Sequence, residues 1–425
     1  MRVLASEITG YKNKRVELAG WVHRIRSLGK ISFVILRDRS GTAQLVLDEK
    51  PEFTHESVIS VQGIVKENEK APDGVELQVD GESLKVLSAA NPELPIPVNQ
   101  DPKELSLDAV LDNRIISLRI PRIRQIFTLQ SAILKYFAQH MRSEGFTEIK
   151  TSKLIGTGTE GGTGLFPVEY FDTRVYLAQS PQFYKQALVA SGMERVFEIG
   201  PAYRAEKHDT PRHLNEYVSL DVEMAFIESE HDLIDLEQRI LKSIFQGVKE
   251  DCAKELEAWQ ASVPEPEEVD SVPRITHDEA KEIIGKLQGR RVFEINPEGE
   301  RVICDWAKKE HGVDAVFVTG FPRKKRPFYT FPSGNKTMSF DLLFRGLEIT
   351  TGGRRINDYG MLLETLPRFG LTEEGLSDYC QIFKYGCPPH GGFAIGLERL
   401  TQQILGLSNV KEASLFPRDR KRVRP

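Results

Sequence analysis

The sequence predicts an α+β chain, with a small closed β-barrel first and a larger domain of antiparallel sheet and flanking helices behind it. Three observations carry this. The first ninety residues break into short alternating segments between turn signals, a proline-rich stretch follows, and strands, long loops and helices then alternate without the βαβ rhythm of a parallel sheet. Within residues 1–89 the segments "RVELAGWVHRI", "ISFVILRD", "TAQLVLD", "SVISVQGIVK", "GVELQVD" and "SLKVLS" are separated by "DRSG" and "APDG", and an OB-type barrel is the economical closure. Residues 90–121 read as a hinge, because "NPELPIPVNQDP" places prolines at Pro92, Pro95, Pro97 and Pro102. Residues 122–425 form the second domain. It opens on "RIRQIFTLQSAILKYFAQHMRSEGF", whose apolar residues recur at helical spacing up to Gly145, and continues into the strand-like "TEIKTSKL".

Composition narrows the class. At 425 residues, 40% hydrophobic and 28% charged, the chain can bury large cores and divides into domains. Lys+Arg of 57 against Asp+Glu of 62 gives a formal charge of -5, which excludes a generally basic nucleic-acid coat but leaves room for local basic faces. Cys252, Cys304, Cys380 and Cys387 show no zinc-type spacing and read as core thiols of a reducing compartment. The N-terminus turns polar within a few residues, and no apolar run approaches the roughly 18 residues of a membrane span. A cytoplasmic protein is expected.

Three stretches carry the chemistry. In "VFEIGPAYRAEKHDTPRHLNEYVSLDVEM" two strand-like segments flank a loop. With a period of two, Arg204 and Glu206 share a face with Gly200 and Ala202, and Tyr217, Ser219, Asp221 and Glu223 share another. Forked guanidinium donors suit phosphate, and a carboxylate can accept the exocyclic amine of adenine, so the set describes a nucleotide site. Taken alone, it is also an ordinary exposed hairpin. "GGFAIGLERLTQQILG" runs from a glycine-rich strand, Gly391 to Gly396, into a helix with Arg399 in its first turn, where bare backbone lets a flat ring approach. "FDLLFRGLEITTGGRRINDY" brings Glu348 and Thr351, a hard-oxygen pair suited to Mg²⁺, close to Arg355. A fourth segment, "GTGTEGGTGLF", matches GxGxxG at Gly156, Gly158 and Gly161, but no βαβ unit encloses it.

These stretches recur in the same order in the class II aminoacyl-tRNA synthetases, and nearly the whole chain resembles the short, archaeal-type aspartyl-tRNA synthetases, non-discriminating aspartate–tRNA(Asp/Asn) ligases among them. "YRAEKHDTPRHLNEY" resembles the second class II motif and "GGFAIGLERL" the third. The resemblance implies catalytic roles for Arg204 and Arg399. It implies an ATP site of Arg204, Ala205, Glu206, Arg212, His213, Leu214, Glu348, Gly396, Leu397, Glu398 and Arg399, and Mg²⁺ held by Glu348 and Thr351. An aspartate site of Glu160, Gln182, Phe183, Tyr184, Lys185, Arg204, Thr351 and Arg355 is implied too, with Glu160 on a lid over the substrate's α-amino group. Thr351 stands where the family often has serine. Ser152 stands where the first motif ends in a proline of the dimer interface. A homodimer is expected.

Lys185 and Arg355 are expected to converge on the substrate side chain and to be neutralised only when an acidic amino acid arrives, which favours aspartate over asparagine. Relatives that charge asparagine lack the lysine. By resemblance the barrel reads the anticodon, with Phe33 to stack, Gln44 to bond base edges, and Arg26, Arg24 and Lys30 for phosphates. Alternation leaves open whether Phe33 faces the core. Strict family members carry tryptophan and lysine at two loop positions where relaxed ones carry histidine and proline, and this chain has His23 and Pro72. The resemblance therefore implies aspartylation of both tRNA(Asp) and tRNA(Asn), with a tRNA-dependent amidotransferase to convert the mischarged product. A strict aspartyl enzyme, an asparagine-specific ligase and a non-catalytic RNA-binding paralogue are the alternatives.

Overall fold

The computed structural model describes residues 2–156, 158, 164–206 and 209–424. The chain divides into two compact units, Met1–Ile120 and Pro121–Pro425. In the first, β1 (Arg15–Leu28), β2 (Ile31–Arg37), β3 (Thr42–Leu47), β4 (Val58–Glu67) and β5 (Val75–Val79) run in the order β1-β2-β3-β5-β4. Because β1 pairs with β4 as well as β2, the barrel closes. Alternation explains its core: Val16, Leu18, Val22, Val34, Leu36 and Leu45 point inward together. β1 can serve two neighbours because Gly20 admits the Arg37 backbone, where a Cβ would lie 2.3 Å from the carbonyl oxygen, and a bulge between Val22 and Arg24 turns the strand. β6 (Lys85–Ser88) lies beside β4.

The stretch 90–121 is not wholly irregular. Once the prolines stop at Pro102, Ser106 caps a helix, Leu107–Asp112, by accepting from the Ala109 N–H, and a second short helix, Arg114–Ser117, follows. Both belong to the first unit.

The second unit starts with helix Pro121–Ser143, which ends ahead of Gly145 at φ +79°. Its strands are β7 (Thr147–Glu148), β8 (Leu154–Ile155), β9 (Pro167–Tyr170), β10 (Thr173–Leu177), β11 (Arg195–Tyr203) and β12 (Glu216–Ala225). They continue as β13 (Arg274–Thr276), β14 (Ala315–Thr319), β15 (Pro332–Ser333), β16 (Lys336–Thr337), β17 (Ser339–Phe344), β18 (Leu347–Arg354) and β19 (His390–Gly396). Eight of them form one sheet in the order β13-β14-β17-β18-β19-β12-β11-β7, antiparallel except for the parallel pairs at its two edges.

The two faces of that sheet differ. Leu220 and Val222 of β12, Phe393 and Ile395 of β19, and Phe340 and Leu342 of β17 join the main core with helices Pro121–Ser143 and Glu230–Asp251. By period two, Ser219, Asp221 and Glu223 project from the opposite face, level with Gly396, Ala394 and Gly392 of β19. That second face carries the site.

Candidate active site

A cavity of ≈ 310 Å³ opens on this face, lined among others by Gln182, Lys185, Arg204, Glu206, Arg212, His213, Leu214, Glu348, Thr351, Arg355, Gly396 and Arg399. Its floor is β12 and β19. A Cβ at Gly392 would lie 2.0 Å from the Val222 carbonyl oxygen and 2.3 Å from a carboxylate oxygen of Glu223, so only glycine leaves that carboxylate room.

Lys185, on helix Gln182–Leu188, and Arg355, just past β18, are 2% and 6% exposed. The structure corrects the expectation that they await an acidic ligand. Lys185 Nζ lies 3.0 Å from Asp221 and 3.3 Å from Glu223, and Arg355 Nε donates to Glu223 at 3.0 Å. Two cations face two carboxylates, because an uncompensated buried pair would cost several kcal/mol. Burial raises the pKa of Glu223, but Arg355 and Lys185 more than offset it and hold the carboxyl below its ordinary range. Beside these two cations and two carboxylates, a neutral group is left unmet. Gln182 Oε1 accepts from Arg355 at 3.3 Å, while its buried Nε2 has no hydrogen-bond partner among the described residues.

Across the cavity, β11 ends at Tyr203, so Arg204 and Glu206 stand beyond the strand rather than on its face. The Arg204 guanidinium lies 5.5 Å from the Tyr217 ring centre. Arg212 forms an ion pair with Glu300, and Thr210 Oγ1 lies 2.6 Å from His213 Nδ1. Arg399 donates to the Glu348 carbonyl at 2.9 Å, to its carboxylate at 3.3 Å, and to the Arg212 carbonyl at 3.4 Å. Three guanidinium groups around one hollow suit a polyphosphate.

Glu348 and Thr351 are three apart, which in a regular strand puts them on opposite faces. A bulge in β18 opposite Leu342 and Leu343 absorbs Ile349, and both residues line the cavity. Thr351 Oγ1 donates to Asp341 at 2.8 Å, and Arg326 pairs with Asp341 at 2.7 Å. Burial raises the Asp341 pKa, Arg326 opposes that, and Glu348 adds repulsion, leaving it at about 6. Two mutually repelling carboxylates beside a hydroxyl are a donor set that a hard dication relieves. Among the described residues no group of three or more His, Cys, Asp or Glu could hold a metal alone, so substrate oxygens would have to complete such a site.

The barrel carries a second candidate surface. Phe33 faces outward, half-buried, between Arg26 of β1 and Val46 of β3, and Gln44 is on the same face opposite Ile35. Gln44 Nε2 donates to Glu76 at 2.9 Å. His23 is in β1 at its bulge rather than in a loop, with Nδ1 3.0 Å from Arg37. Burial, then Arg37, lowers its pKa. Pro72 opens the 3₁₀ turn Pro72–Gly74 between β4 and β5.

Comparison with known proteins matches this arrangement. Residues 16–87 match the model for the OB-fold nucleic acid binding domain, and residues 106–420 match that for tRNA synthetases class II (D, K and N). The chain belongs to the class II tRNA synthetases of this group. It is 45% identical to the aspartate–tRNA(Asp/Asn) ligase of Thermus thermophilus, over 100% of both chains. It is 41% identical to the aspartate–tRNA(Asp) ligase of Pyrococcus abyssi, over 99% of each. Among solved structures, asparaginyl-tRNA synthetase from Pyrococcus horikoshii complexed with asparaginyl-adenylate superposes with a TM-score of 0.92 at 30% identity, over 100% of both chains.

In this class II synthetase not every residue expected at the site reaches it. Phe183 packs against Tyr379 with ring centres 4.2 Å apart, and Leu397 lies in the main core. Tyr184 is exposed, and the Ala205 N–H donates to the Gly164 carbonyl at 3.1 Å; none of these four lines the cavity. Glu398 borders it, but burial pushes its pKa to about 8 and its oxygens accept from the Val218 N–H at 3.1 Å. Glu160 and Gly161 lie outside the described residues. Asp221, Glu223, Asp341 and Arg326 were not singled out from the sequence as site residues. The signal for the first two was there, since carboxylates two apart on one strand share a face.

Proposed function

We propose that this synthetase activates L-aspartate with ATP and transfers it to tRNA(Asp) and tRNA(Asn). One observation carries the amino-acid assignment: the buried Nε2 of Gln182, beside Arg355, lacks an acceptor. An unmet buried donor costs about 1–3 kcal/mol. An aspartate side chain only accepts and can serve Gln182 and Arg355 together, whereas asparagine turns an N–H₂ toward one of them. The names of the Thermus and Pyrococcus relatives agree on aspartate.

Activation needs no general base, since the α-carboxylate of aspartate is already ionised and attacks the α-phosphorus in line, breaking the bond to the β-phosphate and releasing pyrophosphate. Arg204 and Arg399 stabilise the charge developing on the phosphates, and Glu206 accepts the adenine amine. Glu348, Thr351 and Asp341 would hold Mg²⁺, which when bound neutralises phosphate charge. A ribose hydroxyl of the terminal adenosine of tRNA then attacks the aspartyl carbonyl of the adenylate, and the mixed anhydride breaks to release AMP. Phe33, Gln44 and Arg26 meet the anticodon. Relaxed tRNA choice rests on Pro72, which has neither charge nor N–H with which to enforce a base there. A homodimer, cytoplasmic location and a downstream amidotransferase complete the proposal. Among the described residues no helix is long and apolar enough to cross a membrane.

The test offers aspartate and asparagine separately in ATP–pyrophosphate exchange, then charges transcripts with GUC and GUU anticodons. Aspartate alone should support exchange and both transcripts should accept it. Exchange with asparagine overturns the amino-acid assignment, and failure on GUU leaves the strict enzyme that the Pyrococcus relative's name describes.

A further inference from the structure

Among the described residues, the loop between β11 and β12, which carries Arg204, Arg212 and His213, is tied to the C-terminal segment of the chain by Pro211, Asn215 and Asp209. The Val410 N–H donates to the Pro211 carbonyl at 2.9 Å, and the Asn215 N–H to the Arg418 carbonyl at 3.0 Å. Between them, Lys411 Nζ lies 2.5 Å from Asp209 of the loop and 2.8 Å from Asp419. Lys411 is 4% exposed and its bond to Asp419 is buried at both ends, while its bond to Asp209 reaches a carboxylate open to water. Its two ends differ. Asp419, 5% exposed at its side chain, is fixed by the N–H groups of Lys421 and Arg422 and by the Arg422 side chain, whereas the Asp209 side chain is 42% exposed. Lys411 itself stands in a 3₁₀ turn, Val410–Ala413, capped by Asn409, so its stem starts from a set direction. Burial lowers its pKa, but the bonds to Asp209 and Asp419 outweigh that and keep it charged.

We propose that Lys411 is a positioning residue for amino-acid activation: by bridging Asp209 to Asp419 it holds Arg204, Arg212 and His213 toward the nucleotide. This rests on reading the cavity as an ATP site. Lys411 lies outside the residues assigned to substrate, so its effect is transmitted through the loop.

The variants are Lys411→Met, which keeps the aliphatic stem and removes the charge, Lys411→Arg, and Asp209→Asn, each first shown to unfold at the wild-type temperature or close to it. In aspartate-dependent ATP–pyrophosphate exchange, Lys411→Met should raise the KM for ATP about tenfold, the scale of one charge-assisted bond, and raise the KM for aspartate, which meets only Arg204 of this loop, by much less. Lys411→Arg should recover most of the loss. Asp209→Asn should reproduce it, and the double variant should be no worse than either single one, as expected for a shared interaction. Limited trypsin digestion gives a readout apart from activity: cleavage within residues 204–215 should accelerate in Lys411→Met and in Asp209→Asn but not in Lys411→Arg. An unchanged KM for ATP together with an unchanged cleavage rate overturns the proposal, as does additivity in the double variant. If the wild-type protein gives no exchange, the nucleotide reading fails, and the trypsin comparison still decides whether Lys411 restrains the loop.

Discussion

Replacing Glu237 by glutamine should stabilise the second unit, and increasingly so as pH rises. Glu237 sits on helix Glu230–Asp251, fully buried against the back of the catalytic sheet, and neither carboxylate oxygen has a hydrogen-bond partner among the described residues. The Thr350 hydroxyl is its neighbour and is likewise unmet. Burial raises the Glu237 pKa, the Thr350 hydroxyl opposes that in part, and the Asp341 carboxylate adds a smaller upward push, from an ordinary 4.5 to about 8. The folded chain therefore keeps this proton while the unfolded chain releases it. Stability is full below pH 4.5 and is lost as pH rises to about 8, beyond which both states are ionised. At about 1.4 kcal/mol per pH unit, the loss amounts to about 4–5 kcal/mol as an order of magnitude. Glu237→Gln cannot ionise and should escape it. Equilibrium urea unfolding of both proteins at pH 5 and pH 8 measures the difference. A gap several-fold larger at pH 8 than at pH 5 is expected; an equal gap at both values, or a glutamine variant weaker at pH 8, refutes the reasoning.

Other perturbations separate the parts of the site. Glu223→Gln removes the carboxylate that Arg355 and Lys185 share and leaves two buried cations against Asp221 alone, and breaking such a buried pair should cost about 3–5 kcal/mol, seen as a lower melting temperature together with loss of exchange. Glu348→Gln should raise the Mg²⁺ concentration for half-maximal exchange by about tenfold, while the melting temperature without Mg²⁺ stays at the wild-type value. Phe33→Ala should remove one stacking platform, about 1–3 kcal/mol, raising the KM for tRNA in aminoacylation without altering exchange, which uses no tRNA.

How much of this was legible in the sequence follows from the range of each signal. Strand segments and turn residues are local, so the barrel and its β1–β3 hairpins could be read directly, as could helix Pro121–Ser143. The arginines Arg204, Arg212, Arg355 and Arg399 could be gathered because their motifs have a fixed order. Charge balance was not legible, because it depends on which distant strand is neighbour to which. Lys185 and Arg355 read as two cations without carboxylates of their own until β12 is seen to run past them with Asp221 and Glu223. Asp341 escaped for the same reason, since only the pairing of β17 with β18 sets it against Thr351. The bulge at Ile349 was hidden as well, and without it period two separates Glu348 from Thr351. The position of Arg204 shows the converse limit: one residue of error in a strand's end changes what its neighbours are.

Gly392 also bears on inheritance. Because the bed of the pocket at this point is closed to any larger residue, a lineage that drifts toward a different amino acid has no first step available there. Change has to start at the rim, on the segment holding Gln182 and Lys185 or the turn holding Arg355, and so related proteins of differing preference should share this bed while diverging around it.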